Sequence, residues 1–156
     1  MAEIALPIII VVSIATASSL ISRESSKMEG INTAPFQPPG WVFGVAWFIL
    51  YGFVATSWAM VGKSDNYELQ NILFLSIGAF LLLWPFAAFT CKNYVIGLLT
   101  LLCLIGLTVW LLTLLSYTLS RVFMAIFLGW LVFATVLNVY ILWKNRITKF
   151  GTLVEF

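Results

Sequence analysis

Five long apolar stretches alternate with shorter polar ones along the chain. They cover Ile4–Ile21, Trp41–Val61, Leu69–Thr90, Tyr94–Tyr117 and Val122–Trp143. At about 1.5 Å per residue, a helix made from any of them is long enough to cross about 30 Å of hydrocarbon. Apolar side chains occur on every side of these predicted helices, which is typical of helices surrounded by lipid and by one another. The pattern predicts an all-α membrane protein, a bundle of five transmembrane helices in a single domain over residues 1–156.

The first stretch has an alternative interpretation as a secretory signal peptide. Signal peptides begin with positive charge and end at a cleavage site of small residues. Here the first basic residue, Arg23, follows the apolar run, and no convincing cleavage site is present. We therefore predict a retained helix.

The polar connections differ in length. Residues 22–40 form the long one, and Pro35, Pro38 and Pro39 exclude a continuous helix there. We predict a surface loop that acts as a lid. The other connections are short, so we expect consecutive helices to be antiparallel neighbours in an up-down bundle.

Basic residues are distributed unevenly between the two sides of the predicted membrane. Five crossings place the termini on opposite sides, and basic residues favour the cytoplasmic side. The side of the long loop and the carboxyl terminus carries Arg23, Lys27, Lys92, Lys144, Arg146 and Lys149, whereas the other side carries Lys63 and Arg121. We predict a cytoplasmic carboxyl terminus.

Charge and residue usage exclude several functional classes. The net charge of +2 is small and scattered, so we expect no nucleic-acid partner. With no His and only Cys91 and Cys103, we expect no metal site and no axial haem ligation by imidazole. All charged residues lie outside the predicted helix centres, which argues against ion-coupled transport.

Uncharged polar residues within the predicted spans are hydroxyls and one amide. They are Ser57, Ser76, Thr100, Thr108, Thr113, Thr135 and Asn138. We expect them to bond to backbone carbonyls or to neighbouring helices.

Aromatic residues are abundant, with seven Trp, thirteen Phe and five Tyr. Those at helix ends, as expected of interfacial anchors, are Trp41, Tyr94, Tyr117 and Trp143. The deeper tryptophans are Trp47, Trp84, Trp110 and Trp130. A deep indole N–H needs a hydrogen-bond partner, so these four are the better candidates for a ligand pocket.

Helical spacing groups some of these residues into two rows. Phe43, Trp47 and Tyr51 recur every four residues on the second helix. The fifth helix carries a second row, made of Phe127, Trp130 and Ala134. The two rows could hold a flat apolar ligand, but ordinary helix packing produces the same spacing and is favoured by spacing alone.

Three sequence motifs resemble the TspO/MBR family, the tryptophan-rich sensory protein/translocator protein family that includes the peripheral-type benzodiazepine receptor. Residues 35–51 read PFQPPGWVFGVAWFILY, similar to the family's Pro-Pro pair followed by W-V-F-G-x-x-W-x-x-L-Y. Residues 84–89, WPFAAF, resemble the end of its third helix. Residues 130–138, WLVFATVLN, resemble its fifth-helix W-x-x-F-A-x-x-L-N, and Asn145 lies near its closing Asn. The resemblance runs from end to end and implies five transmembrane helices.

Some positions depart from the family pattern. Ala34, Leu81 and the pair Ile126-Phe127 stand where the family usually has Lys, Asn and Pro-Tyr, and a Trp-Tyr pair of the first loop is absent. We therefore expect a less polar pocket than is typical of the family.

The resemblance also implies a ligand site beneath the long loop. Family members bind porphyrins such as protoporphyrin IX and benzodiazepine-site drugs. The implied binding residues are Phe43, Trp47, Tyr51, Trp84, Pro85, Phe127, Trp130 and Ala134, with Pro35, Pro38 and Pro39 in the lid. Aromatic side chains bind the face of a metal-free tetrapyrrole by dispersion, so no cofactor is expected.

Two weaker motifs bear on sterol binding and on oligomerisation. Leu137, Tyr140 and Lys144 satisfy a proposed cholesterol pattern, although an interfacial anchor explains them as well. In the family this segment has been linked to sterols. Gly40 and Gly44 form a G-x-x-x-G motif, for which packing within the chain is the favoured explanation. Family members are often homodimers, and the oligomeric state is left open.

Three functions are compatible with these features. The first is a membrane receptor or sensor for porphyrins and other flat ligands. The second is an enzyme that degrades porphyrin in light, with Trp47 and Trp130 as the implied catalytic residues. The third is a sterol or porphyrin translocator, for which no inverted repeat is visible. The resemblance implies the mitochondrial outer membrane in a eukaryote, or a cell-envelope membrane in a bacterium.

Overall fold

Five α-helices make up most of the part of the chain that the structure describes. The computed structural model describes residues 2–22, 34–61 and 66–145. The helices are α1 (Ala2–Ser22), α2 (Gly40–Ala59), α3 (Tyr67–Pro85), α4 (Tyr94–Leu114) and α5 (Thr118–Asn145). All five are long and apolar enough to cross a membrane, and no strand occurs among the described residues. The predicted all-α bundle of five transmembrane helices is confirmed.

The helix ends differ from the ends of the apolar stretches. Helix α5 begins at Thr118, four residues before the apolar stretch at Val122. Arg121 therefore lies in the first turn of α5, where its Nε donates a hydrogen bond to the carbonyl oxygen of Leu115 (2.6 Å) just after α4. An apolar stretch marks the part of a helix that lies in the hydrocarbon of the membrane. The helix itself can extend further, into the membrane interface, wherever its terminal backbone groups have hydrogen-bond partners.

Helix α3 ends at a proline and continues into a π-helical turn, Phe86–Thr90. Pro85 has no N–H, so the carbonyl of Leu81, four residues earlier, receives no helical hydrogen bond from it. Ser18 of α1 donates to that carbonyl oxygen instead (3.2 Å). The proline thus exposes a backbone acceptor that joins α3 to α1.

The helices form a ring in the order α1, α2, α5, α4, α3, with α3 packing back on α1. The expectation that consecutive helices are always neighbours is wrong for α2 and α3, which contact each other only slightly. They meet near their connection, where Trp58 stacks on Phe74 (5.5 Å between ring centroids) and donates to Oδ1 of Asn71 (2.6 Å). A short connection keeps only the joined ends of two helices close together. Over the rest of their length, α1 packs against both α2 and α3.

Most polar groups inside the bundle are paired, as predicted. Thr100 and Thr108 donate to carbonyl oxygens one turn earlier (2.8 and 2.7 Å), and Ser57 and Ser120 each donate to the other's backbone carbonyl (3.4 Å). Among the hydroxyl and amide groups predicted within the spans, the exception is Asn138, whose Oδ1 is buried and has no partner among the described residues.

Candidate functional site

Three tryptophans from three different helices meet at one place in the bundle. The ring of Trp47 on α2 lies 5.6 Å from that of Trp84 on α3 and 6.2 Å from that of Trp130 on α5, measured between centroids. Two further rings come from α2. Tyr51 contacts Trp47 on the same helix (5.9 Å), and Phe43 contacts Trp130 of α5 (5.6 Å). We refer to these five residues as the aromatic cluster. Through the contact between Trp47 and Trp84, the cluster links α2 to α3, whose backbones are otherwise mostly too far apart for direct contact.

The inward face of α2 follows from its four-residue spacing. Phe43, Trp47 and Tyr51 are half-buried, whereas Phe48, immediately after Trp47, is 80% exposed on the surface that faces lipid. Side chains four apart stack on one side of a helix, and the next residue lies about 100° away. The row predicted on α2 is therefore the row that faces the bundle interior.

A hydrogen-bonded chain holds one side of the aromatic cluster. The Tyr51 hydroxyl donates to Oγ of Ser18 (2.9 Å), which in turn donates to the Leu81 carbonyl that Pro85 leaves free. Ser18 was missed by sequence reasoning. The signal that could have found it is the proline, because a helix interrupted in lipid needs a donor from a neighbouring helix.

Three further predicted site residues lie in the packed core beside the aromatic cluster. Phe127 and Ala134 of α5 are buried in the main apolar core, against which Trp47, Trp84 and Trp130 pack. Pro85 is buried at the end of α3. Trp110, by contrast, is half exposed on α4 and lies outside the aromatic cluster.

The described part of the predicted lid, residues 34–39, packs against the bundle near the carboxyl-terminal end of α5. Ala34 is buried, and the ring of Phe36 packs edge-on against Tyr140 of α5 (5.7 Å). The Gln37 N–H closes a turn on the Ala34 carbonyl (2.9 Å). Pro35 and Pro39 are exposed and Pro38 is half-buried. The rest of the lid, residues 23–33, lies outside the described residues.

Unpartnered polar atoms accompany the aromatic cluster. Among the described residues, the buried side-chain atoms without a hydrogen-bond partner are Nε1 of Trp84, Nε1 of Trp130, Oδ1 of Asn138 and Oε1 of Gln37. Buried polar groups are normally paired, so each of these is a group available to a bound molecule. Two are donors and two are acceptors.

An open apolar groove lies on the other side of Trp130, between α2 and α5. It has a volume of about 310 Å³, and its lining residues are Ala46, Ile49, Leu50, Phe53, Ile126, Gly129, Trp130 and Phe133. Ile49, Ile126 and Gly129 are exposed to the surrounding membrane. Of the aromatic cluster, only Trp130 lines this groove. The groove is therefore a feature of the outer surface, and the interior site is the aromatic cluster itself.

Comparison with known proteins agrees with this architecture. The sequence model of the TspO/MBR family matches residues 4–144, which include every residue of the aromatic cluster. The chain belongs to the TspO/MBR family. It is also similar to the tryptophan-rich protein TspO of Archaeoglobus fulgidus, with 26% identity over 138 residues that cover 84% of this chain and 89% of that protein. Family membership and the five spans establish a multi-pass integral membrane protein and support a sensor or translocator type of role.

The residues of the sterol pattern do not share one exposed surface. Leu137 is buried in the bundle, Tyr140 is half-buried between Phe36 and Trp143, and Lys144 is exposed. A sterol lying along α5 in the lipid would therefore contact Lys144 without reaching Leu137.

Proposed function

We propose that this protein is a membrane receptor or sensor that binds flat hydrophobic ligands, with protoporphyrin IX as the first candidate, in the aromatic cluster. The observation that carries the proposal is the meeting of Trp47, Trp84 and Trp130 from three helices in one half-buried group. Membership of the TspO/MBR family supports it, because that family points to a sensor or translocator role in a membrane.

Binding would exchange contacts between the protein's own rings for contacts with a ligand. The cluster rings lie 5.6 to 6.2 Å apart, so a macrocycle has to separate Trp47 from Trp84 or from Trp130. Each aromatic contact contributes about 0.5–1.5 kcal/mol, which is small enough to be replaced by stacking on the larger face of a porphyrin. The unpaired N–H groups of Trp84 and Trp130 then gain ligand acceptors.

The test is quenching of tryptophan fluorescence by protoporphyrin IX in darkness, in detergent. Trp47→Phe should raise the midpoint of the titration about threefold or more, because Trp47 contacts every other ring system of the site except Phe43. Trp110→Phe is the matched control, since it removes a fluorophore on the exposed face of α4. The proposal fails if quenching does not saturate, or if both variants leave the same midpoint.

Light-dependent degradation of the bound porphyrin is the second candidate function. The contact between Trp47 and Trp130 favours it, because a photoexcited macrocycle between these rings would touch two indoles that can give it an electron. Dissolved dioxygen is the oxidant that this degradation would consume. Repeating the titration under illumination should then bleach the porphyrin absorbance in the wild type. A Trp47→Phe, Trp130→Phe variant that bleaches equally fast would rule out this role for the two residues.

A further inference from the structure

The groove between α2 and α5 and the aromatic cluster share one wall, the ring of Trp130. This ring lines the groove, and it also contacts Phe43 (5.6 Å) and Trp47 (6.2 Å) within the cluster, measured between ring centroids. The groove opens onto the lipid-facing surface, where Ile49 and Gly129 are exposed. Trp130 is therefore the side chain that borders both the membrane-facing groove and the interior site.

Ring contacts close the seam between α2 and α5 on both sides of the groove. Toward the end of α2, Phe53 stacks on Phe123 of α5, with 4.5 Å between ring centroids and 4° between ring planes. Nearer the start of α2, Phe43 packs edge-on against Trp130 (5.6 Å). Between these two contacts lies the groove, with a volume of about 310 Å³. The seam is thus open about halfway along both helices.

Small residues keep this part of the seam open. Ala46 lines the groove from α2, and Gly129 lines it from α5. A Cβ atom added to Gly129 would meet nothing within 4 Å, so the space in front of this backbone is unfilled. Pockets that bind small molecules begin at about 300 Å³. The groove therefore has room for the leading edge of a flat molecule.

The Trp130 ring is held by apolar contacts. Its Nε1 is buried and has no hydrogen-bond partner among the described residues. By contrast, the Tyr51 hydroxyl donates to Ser18 (2.9 Å) on another helix. The indole of Trp58 likewise donates to Asn71 (2.6 Å). Turning Trp130 aside breaks ring contacts alone, whereas turning Tyr51 or Trp58 also breaks a hydrogen bond between helices.

We infer that the groove is the route by which the ligand passes from the membrane hydrocarbon into the aromatic cluster, and that Trp130 is the side chain that turns aside to admit it. The inference rests on the proposed function, because it concerns the ligand of that cluster. A flat hydrophobic molecule is concentrated in lipid and not in water. A lateral route lets such a molecule enter the site directly from the bilayer.

Substitutions that fill the groove without replacing a ring of the cluster test the route. The protein is reconstituted in phosphatidylcholine vesicles and mixed rapidly with protoporphyrin IX in darkness, and quenching of tryptophan fluorescence gives the association rate, the dissociation rate and the midpoint. Rates are compared where they rise with the number of protein molecules per vesicle, so that binding and not partitioning is measured.

Gly129→Ala, Gly129→Leu and Gly129→Phe fill the opening in increasing steps. The largest should lower the association and dissociation rates about tenfold each, because it obstructs passage in both directions. The midpoint should stay unchanged, since the rings that hold the ligand are all present. Gly106→Phe is the matched control, because it adds the same side chain to an exposed position of α4 where a Cβ also meets nothing within 4 Å.

Trp130→Ala removes the ring that moves. It should raise the association rate, although it also weakens binding by taking away a contact with the ligand. An association rate no higher than that of the wild type would contradict the role given to Trp130.

The outcomes separate the route from the site. If the wild type saturates but every Gly129 variant associates as fast as Gly106→Phe, the route is refuted while the aromatic site stands. A raised midpoint with an unchanged association rate in the Gly129 variants would also refute the route, because the groove would then belong to the binding site itself. If the wild type does not saturate, the proposed function fails and the route fails with it.

Discussion

Tyr51 connects three helices through one hydroxyl group. It donates to Ser18 of α1, which donates to the Leu81 carbonyl of α3. Tyr51 lies one turn from Trp47 and contacts its ring, so the same residue anchors the aromatic cluster to the scaffold. Hydrogen bonds between helices in a membrane contribute about 0.6 to 2 kcal/mol each, which is enough to fix the position of a side chain.

Tyr51→Phe should lower the free energy of unfolding by about 1 kcal/mol, because it removes the bond to Ser18 and keeps the ring. Thermal unfolding in detergent measures the change. The control is Tyr117→Phe, whose ring lies exposed after the end of α4. Equal melting temperatures for the two variants would contradict a structural role for the Tyr51 hydroxyl.

Helices α1 and α3 approach each other closely at a glycine. A Cβ on Gly78 would lie 2.7 Å from Cδ1 of Ile14, which is closer than two carbon atoms approach. The δ-methyl of Ile14 ends a flexible side chain, so one added carbon would require only a rotation of that side chain. A longer side chain would have to separate the two helices, and Ser18 lies one turn further along α1 from Ile14.

Gly78→Leu should therefore destabilise the protein by about 1–3 kcal/mol through overpacking, measured by the same thermal unfolding. Gly106→Leu serves as the comparison, since a Cβ at Gly106 meets nothing within 4 Å and faces outward from α4. A melting temperature as high for Gly78→Leu as for Gly106→Leu would show that α1 and α3 are not held at this distance.

Helix number and type could be predicted from the lengths of the apolar stretches, because lipid requires a helix of about 20 residues for each crossing. The order in which the helices pack around the bundle could not be predicted. Helix α1 packs against both α2 and α3, and no local sequence pattern specifies that arrangement. Trp47 and Trp130 were predicted from spacing and from the family motifs, and Trp84 from its depth in the third span and from its motif. The role of Ser18 was not, because it depends on a carbonyl freed by Pro85 in another helix. Asn138 was visible as a polar residue, but its unpaired oxygen is a three-dimensional property.

Orientation in the membrane is a property of the whole molecule. Among the described residues, Lys92, Lys144 and residues 34–39 of the long loop lie at one end of the bundle, and Arg121 lies at the other. The remaining basic residues used in the prediction, Arg23, Lys27, Lys63, Arg146 and Lys149, lie outside the described residues. We propose a cytoplasmic carboxyl terminus on the basis of their distribution.

A reporter fused after Phe156 tests this orientation in bacterial cells. A fluorescent protein that matures only in the cytoplasm should be bright, and alkaline phosphatase, which is active only outside the cytoplasm, should be inactive. The reverse result, an active phosphatase and a dark fluorescent protein, would show that the carboxyl terminus faces outward.

Labelling all seven tryptophans with 5-fluorotryptophan and recording ¹⁹F NMR spectra during titration with protoporphyrin IX tests the central claim most directly. Single Trp→Phe variants assign the seven signals. Binding in the aromatic cluster predicts that the signals of Trp47, Trp84 and Trp130 shift together and saturate, while those of the exposed Trp41, Trp110 and Trp143 stay in place. Shifts confined to the exposed tryptophans would place the ligand on the lipid-facing surface and contradict the account.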